Sequence, residues 1–420
     1  MNSRNLRLVM LALGMGLAIA CKKSNSPTPA SPGGPAKPDT IQGSSAAVDP
    51  SNAAQTIRGF GGATVFLGSL TSAEMTALYG TQTPTQLGLT VLRIRVDPGG
   101  PANWGTELGN AQKAIANGAI VMATPWSPPA SFKTNNNTIG GMLDTAHYAA
   151  FADYLDSFAS YMSSNGAPLY ALSVQNEPDI GVTYESCNWT AQQLFNFVKY
   201  NAPAIKNTRL IASESFHFDQ SYTDPILDDS VAASHLSIVG GHIYGGGLAP
   251  YPLAVQKGKE VWMTEHLDTS TDWNGALNTA KEISDCLGTA GFSVYNWWYL
   301  KRSYGPIDQN DNPTKRGFVM AQFSKFVRPG YQRIGVPYSP TNNVYVTAYK
   351  KGTSLVIVAV NMGATAVNQP FSIAGTPPSS FTPYITSASL SLSSQSSLSA
   401  AGGSFSYPLP PQSVTTFVSN

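Results

Sequence analysis

A (β/α)₈ barrel with an attached β-sandwich is the α/β fold that three observations predict for this chain of 420 residues. Between residues 56 and 323, eight apolar runs alternate with helix-like stretches, which suits a closed barrel better than an open sheet. Two of those runs end in a glutamate: Glu177 in Leu172-Ser-Val-Gln-Asn-Glu-Pro178 and Glu265 in Val261-Trp-Met-Thr-Glu265. A buried parallel strand has no packing use for a charge at its end. Beyond Arg328 the grammar changes to β-branched and aromatic runs bounded by Gly, Asn and Ser, without a helical period.

The N-terminus reads as a targeting segment over residues 1–20. Arg4 and Arg7 precede an apolar stretch from Leu8 to Ala18, and Ala18-Ile19-Ala20 supplies small residues for cleavage. The apolar stretch is too short to span a bilayer stably. Leu17-Ala-Ile-Ala-Cys21 resembles a bacterial lipobox, so export as a lipoprotein anchored through Cys21 is expected, at the outer membrane or cell surface, with plain secretion as the alternative. Residues 21–50 form a Pro/Ser/Gly-rich tether. An extra strand near 44–52 would join the sandwich.

Strands are expected at 57–61, 91–96, 120–123, 170–174, 209–212, 238–243, 261–263 and 292–296, with helices over 146–163, 191–206 and 274–287 between them. These make a barrel domain over 51–325. Runs at 344–349, 355–360 and 414–418 place the β-sandwich over 326–420. No Gly-x-Gly-x-x-Gly turn follows the first strand, which argues against a dinucleotide cofactor.

Composition narrows the function. Only 12% of residues are charged and the formal net charge is +1, which leaves no electrostatic footprint for nucleic acid or for an acidic membrane surface. After lipidation of Cys21 the remaining cysteines are Cys187 and Cys286, whose pairing sequence alone leaves open. No metal is expected. His242 and His266 lack a third ligand in register, and no Gly-x-Ser-x-Gly elbow supports a serine triad.

Paired carboxylates on the C-terminal rim of a barrel are the equipment of a glycosidase, one protonated for the leaving oxygen and one ionised for the anomeric carbon. Asn176 is placed to bond a sugar hydroxyl beside the reacting carbon. Arg93 sits in the apolar run Leu92-Arg-Ile-Arg-Val96 and needs a carboxylate partner if buried; Glu265 suits it, and Arg95, on the same side of the strand, is the alternative. Tyr244 is placed to donate to the nucleophile and help keep it ionised. Trp126 and Trp298 offer flat faces for a sugar ring, although for any one aromatic residue core packing is the commoner role.

With these residues in place, the chain resembles glycoside hydrolase family 30, and within it the bacterial glucuronoxylanases of subfamily 8. The matching stretches include Arg58-Gly-Phe-Gly-Gly62, Trp126-Ser-Pro-Pro129, Ser173-Val-Gln-Asn-Glu-Pro-Asp179, Trp262-Met-Thr-Glu265, Trp297-Trp-Tyr-Leu-Lys-Arg-Ser-Tyr-Gly305 and Lys315-Arg-Gly317. The resemblance implies retention of anomeric configuration, with Glu177 as acid/base and Glu265 as nucleophile, and a β-1,4-xylan main chain as partner. It also implies that Arg302 and Tyr304 hold a 4-O-methylglucuronic acid branch, work for which a guanidinium is suited. Two departures stand out. Leu267 occupies a position where many glucuronate-dependent relatives carry Tyr, and the loop from Ile180 to Trp189 replaces a Trp-rich one. The expectation is a monomeric, exported endo-β-1,4-xylanase without cofactor, directed by glucuronate branches. A branch-independent or xylobiose-releasing enzyme of the same family is the competing activity, and a tethered, non-catalytic glycan binder is the competing class.

Overall fold

The computed structural model describes residues 40–420. The targeting segment, Cys21 and the tether up to residue 39 lie outside the described residues. Described chain begins in sheet rather than tether, with strands β1 (Thr40–Gln42) and β2 (Ala46–Thr56). The strand expected near 44–52 is therefore longer, and it moves the edge of the barrel domain from residue 51 to about Ile57. Asp49-Pro-Ser-Asn52 lies inside that strand, which carries it through as an irregularity with shifts of register.

The barrel strands are β3 (Gly59–Ala63), β4 (Val91–Arg95), β5 (Ile120–Thr124), β6 (Ala171–Ser173), β7 (Arg209–Ser215), β8 (Ile238–His242), β9 (Glu260–His266) and β10 (Val294–Tyr299). They close in chain order with every neighbouring pair parallel, β10 returning to β3. All eight overlap the expected runs. Val91, Met122, Ala171, Ile211, Ile238, Trp262 and Val294, one from each of seven strands, pack into a separate apolar cluster. With the interior filled by side chains, chemistry is left to the strand ends.

Helices fill the crossovers: α1 (Ser72–Tyr79), α2 (Gly105–Ala116), α3 (Tyr148–Ser164), α4 (Ala191–Tyr200), α5 (Asp224–Asp228), α6 (Ser230–His235), α7 (Pro252–Gln256), α8 (Trp273–Gly288) and α9 (Lys315–Ser324). Local chemistry sets their starts. Thr71 with Glu74, and Thr190 with Gln193, form reciprocal capping boxes, while the side chains of Asp272 and Thr314 accept the N–H groups of Gly275 and Gly317. The helix expected over 191–206 stops at Tyr200 and gives way to a short 3₁₀ turn at Ala202–Ala204. Pro203 ends it, since it has no N–H to donate to the Lys199 carbonyl and its ring crowds the preceding turn.

The sandwich adds β11 (Gln332–Gly335), β12 (Val344–Lys351), β13 (Ser354–Asn361), β14 (Ala366–Ile373), β15 (Ser380–Thr386), β16 (Ser393–Ser394), β17 (Leu398–Ser399), β18 (Ser404–Leu409) and β19 (Ser413–Ser419). Strand β2 joins its two sheets, pairing parallel with β14 at one end and antiparallel with β11 at the other. β13 explains why its run reads as continuously apolar. Leu355, Ile357 and Ala359 join the sandwich core, while Val356, Val358 and Val360 join the core shared with the barrel helices. Alternation survives, but both faces are covered.

Candidate active site

Glu177 and Glu265 meet at the C-terminal mouth of the barrel, 5% and 6% exposed. Glu177 lies just past β6 with a φ of +44°, a left-handed conformation that a non-glycine residue holds only at a cost. Its N–H donates to the Glu214 carbonyl at 3.0 Å, which fixes the turn. Each carboxylate contributes an oxygen to a group whose donor atoms all lie within 4.8 Å of one another. Retaining glycosidases hold their carboxyl groups about 5–5.5 Å apart, whereas inverting ones leave about 6.5–9.5 Å for a water.

Arg93 anchors the pair from β4. It is fully buried, pairs with Glu265, donates to Asn176 Oδ1 at 2.7 Å, and lies 3.2 Å from Glu214. Arg95, the alternative partner, instead pairs with Asp97 and Glu185 further out. Tyr244 donates its hydroxyl to Glu265 at 2.8 Å. Burial pushes the Tyr244 phenol far above its ordinary range, helped by the charge of Glu265, so it stays a donor at any working pH.

One expectation needs correcting. Arg93 and Tyr244 do contact Glu265, but its carboxyl is raised overall. Burial and the nearby Glu177 carboxylate push it up, and His242, Arg93 and Tyr244 only partly offset them.

The aromatic residues divide in the same way. Trp126 is 2% exposed, packs against Ala63, Val65 and Trp298, and lies under the Arg93 guanidinium at 4.6 Å. It is a supporting wall rather than an open platform, because Phe66 and Trp298 cover it at 5.9 and 5.5 Å. Trp298 remains partly exposed at the rim. Arg302 lies over the Tyr299 ring at 4.3 Å and donates to the Lys301 carbonyl. Among the described residues no ion pair engages it. Tyr304, partly buried on the same loop, is held through its carbonyl by Arg316 at 2.6 Å.

Three residues at the site had escaped notice or been assigned no role there. His242 Nδ1 bonds Glu177 at 2.9 Å; although burial opposes its charge, Glu265, Glu177 and Glu214 raise the imidazole to about 9. Glu214 is a third buried carboxylate, hydrogen-bonded by Thr124. Tyr184, 47% exposed, reaches Glu177 Oε2 at 3.4 Å from the loop after β6. A His two residues before Tyr244, and a Glu near the end of another strand, were the available signals. Glu177, His242 and Glu265 have the donor types of a metal site, but an imidazolium and the Arg93 guanidinium already supply positive charge there, so the chemistry of the set does not favour a cation. Cys187 and Cys286 are both buried and unpaired.

Comparison with known proteins agrees with this geometry. A family model described as the glycosyl hydrolase family 30 TIM-barrel domain matches residues 106–256. Glucuronoxylanase XynC of Bacillus subtilis (strain 168) is 42% identical over 403 residues, covering 92% of this chain and 94% of its own. The chain belongs to glycoside hydrolase family 30. Its fold is likewise that of the subfamily 8 xylanase Xyn30A from Clostridium acetobutylicum, with 43% identity, a TM-score of 0.86, and coverage of 90% of this chain and 99% of that one. A family 30 endoxylanase from Clostridium papyrosolvens C71 is 39% identical with a TM-score of 0.83, covering 90% and 100%. The barrel with its added sandwich is thus the architecture of the family.

Proposed function

We propose that this protein is a retaining endo-β-1,4-xylanase directed by glucuronate branches, exported and held at the cell surface by a lipid on Cys21, and active as a monomer. The carrying observation is the close approach of Glu177 and Glu265, an oxygen of each lying within 4.8 Å of the other, which suits a double displacement. In the first step Glu265 attacks the anomeric carbon and forms a glycosyl ester, while Glu177 transfers its proton to the departing glycosidic oxygen. In the second, Glu177 takes a proton from water, whose oxygen displaces Glu265 and restores the free enzyme.

Branch recognition is assigned to Arg302, whose guanidinium engages no carboxylate among the described residues, and to Tyr304. A uronate carboxylate would satisfy that charge with directional hydrogen bonds. Leu267 favours a weaker dependence on the branch, because its side chain offers no hydrogen bond. Digestion of glucuronoxylan and neutral arabinoxylan, followed by mass analysis of the products, tests the reading. Faster cleavage of glucuronoxylan, with branches at a constant distance from the new end, is expected. Equal rates and random branch positions would remove the role given to Arg302.

A further inference from the structure

Glu214 is a buried carboxylate that the two chemical steps leave unused. It lies in β7 without exposed surface, at a φ of +53° that is costly for glutamate. Its carbonyl accepts the Glu177 N–H. Its Oε1 lies 3.2 Å from Arg93 Nη2 and 3.8 Å from His242 Nε2, and its Oε2 accepts the Thr124 hydroxyl at 2.9 Å. Burial alone would raise its carboxyl, yet Arg93 and His242 hold it down to about 2.

The groups around this carboxylate come from several elements. Arg93 faces it from β4 and His242 from β8, and through them Glu177 and Glu265 complete the cluster. Tyr184 and Tyr244 donate to the catalytic pair. Asp179 faces Glu177 and His242 from the loop after β6, and Tyr299 faces Glu265. In the enclosed centre two cations, Arg93 and the imidazolium, stand against three carboxylates. One negative charge is left over, and at low dielectric a proton on the catalytic pair relieves it.

We propose that Glu214 is a positioning residue whose fixed negative charge keeps one proton on the Glu177–Glu265 pair of the resting enzyme. One proton is what the first step consumes. Two would protonate the nucleophile, and none would leave the departing oxygen without an acid. The proposal rests on the glycosidase reading, and its test separates the two. Loss of xylan hydrolysis by the wild type would contradict the function, whereas the proton count is read from variants and from the His242 ring.

The experiment is the pH profile of kcat/KM on glucuronoxylan for the wild type, Glu214→Gln and Glu214→Asp. Gln keeps the shape and removes the charge, so the alkaline limb should move to lower pH by about one unit. Asp keeps the charge, so its limb should stay in place whatever its rate. A Glu214→Gln profile that falls without moving, or equal movement in both variants, would overturn the proposal. NMR titration of the wild-type His242 ring, assigned against His242→Asn, decides the matter should Glu214→Gln not fold. A charged ring at pH 7 supports the balance; a neutral one overturns it.

Discussion

Arg93 donates to Glu265 and Asn176 and pairs with Glu214 from a position without exposed surface. A buried guanidinium is tolerable only with such partners, and its place in an apolar run made that need legible from sequence. His242 was less legible, since a lone histidine on a strand gives no sign of the carboxylates that folding brings around it. Its raised pKa makes it a contributor to pH-dependent stability. An imidazole held charged to about 9, against an ordinary 6.5, contributes stability that is fully present below pH 6.5 and lost as pH rises through 9. The Tm of the wild type should therefore fall across that window, and His242→Asn should flatten the fall. Glu177→Ala is expected to lower kcat on xylan about 10²–10⁴-fold, the usual worth of a general acid. Arg302→Ala should lower the rate on glucuronoxylan about tenfold to a hundredfold more than the rate on arabinoxylan, as expected for a lost polar contact.

Among the elements, the loops above β6, β9 and β10 carry what distinguishes this chain. The loop after β6 is pinned by Arg95 to Glu185 and by Lys133 Nζ to the Ser186 carbonyl at 2.5 Å, and it presents Tyr184 to Glu177. Arg316 ties the other two loops together through the carbonyls of Ser270 and Tyr304. Leu267, three residues before Ser270 on the loop after β9, is partly buried against the main core. Leu267→Tyr should raise the preference for glucuronoxylan over arabinoxylan by about tenfold, the worth of one added polar contact. An unchanged ratio, measured on the two substrates in parallel, would mean that the position is out of reach of the branch. The eight barrel strands were legible because each is a short, largely buried apolar run. The loops were not, since their contacts join residues far apart in sequence.

At the scale of the whole molecule, the sandwich is part of the body that supports the barrel. β13 contributes to two cores at once, one between the sheets and one against α8. Ile357→Ala should therefore destabilise the protein by about 2–5 kcal/mol, as large-to-small changes in packed cores do. Thermal unfolding would show it, with kcat unchanged at low temperature. Strands β14, β15 and β18 escaped sequence reading because each is interrupted by proline or polar residues that only sheet pairing reconciles. The central claim is that this framework presents Glu265 as a nucleophile beside the acid Glu177. Treatment with a 2-fluoro-xylobioside bearing a good leaving group, followed by peptide mass analysis, tests it most directly. A covalent adduct on Glu265 is the predicted result; an adduct on another residue, or turnover with inversion at the anomeric carbon, would contradict it.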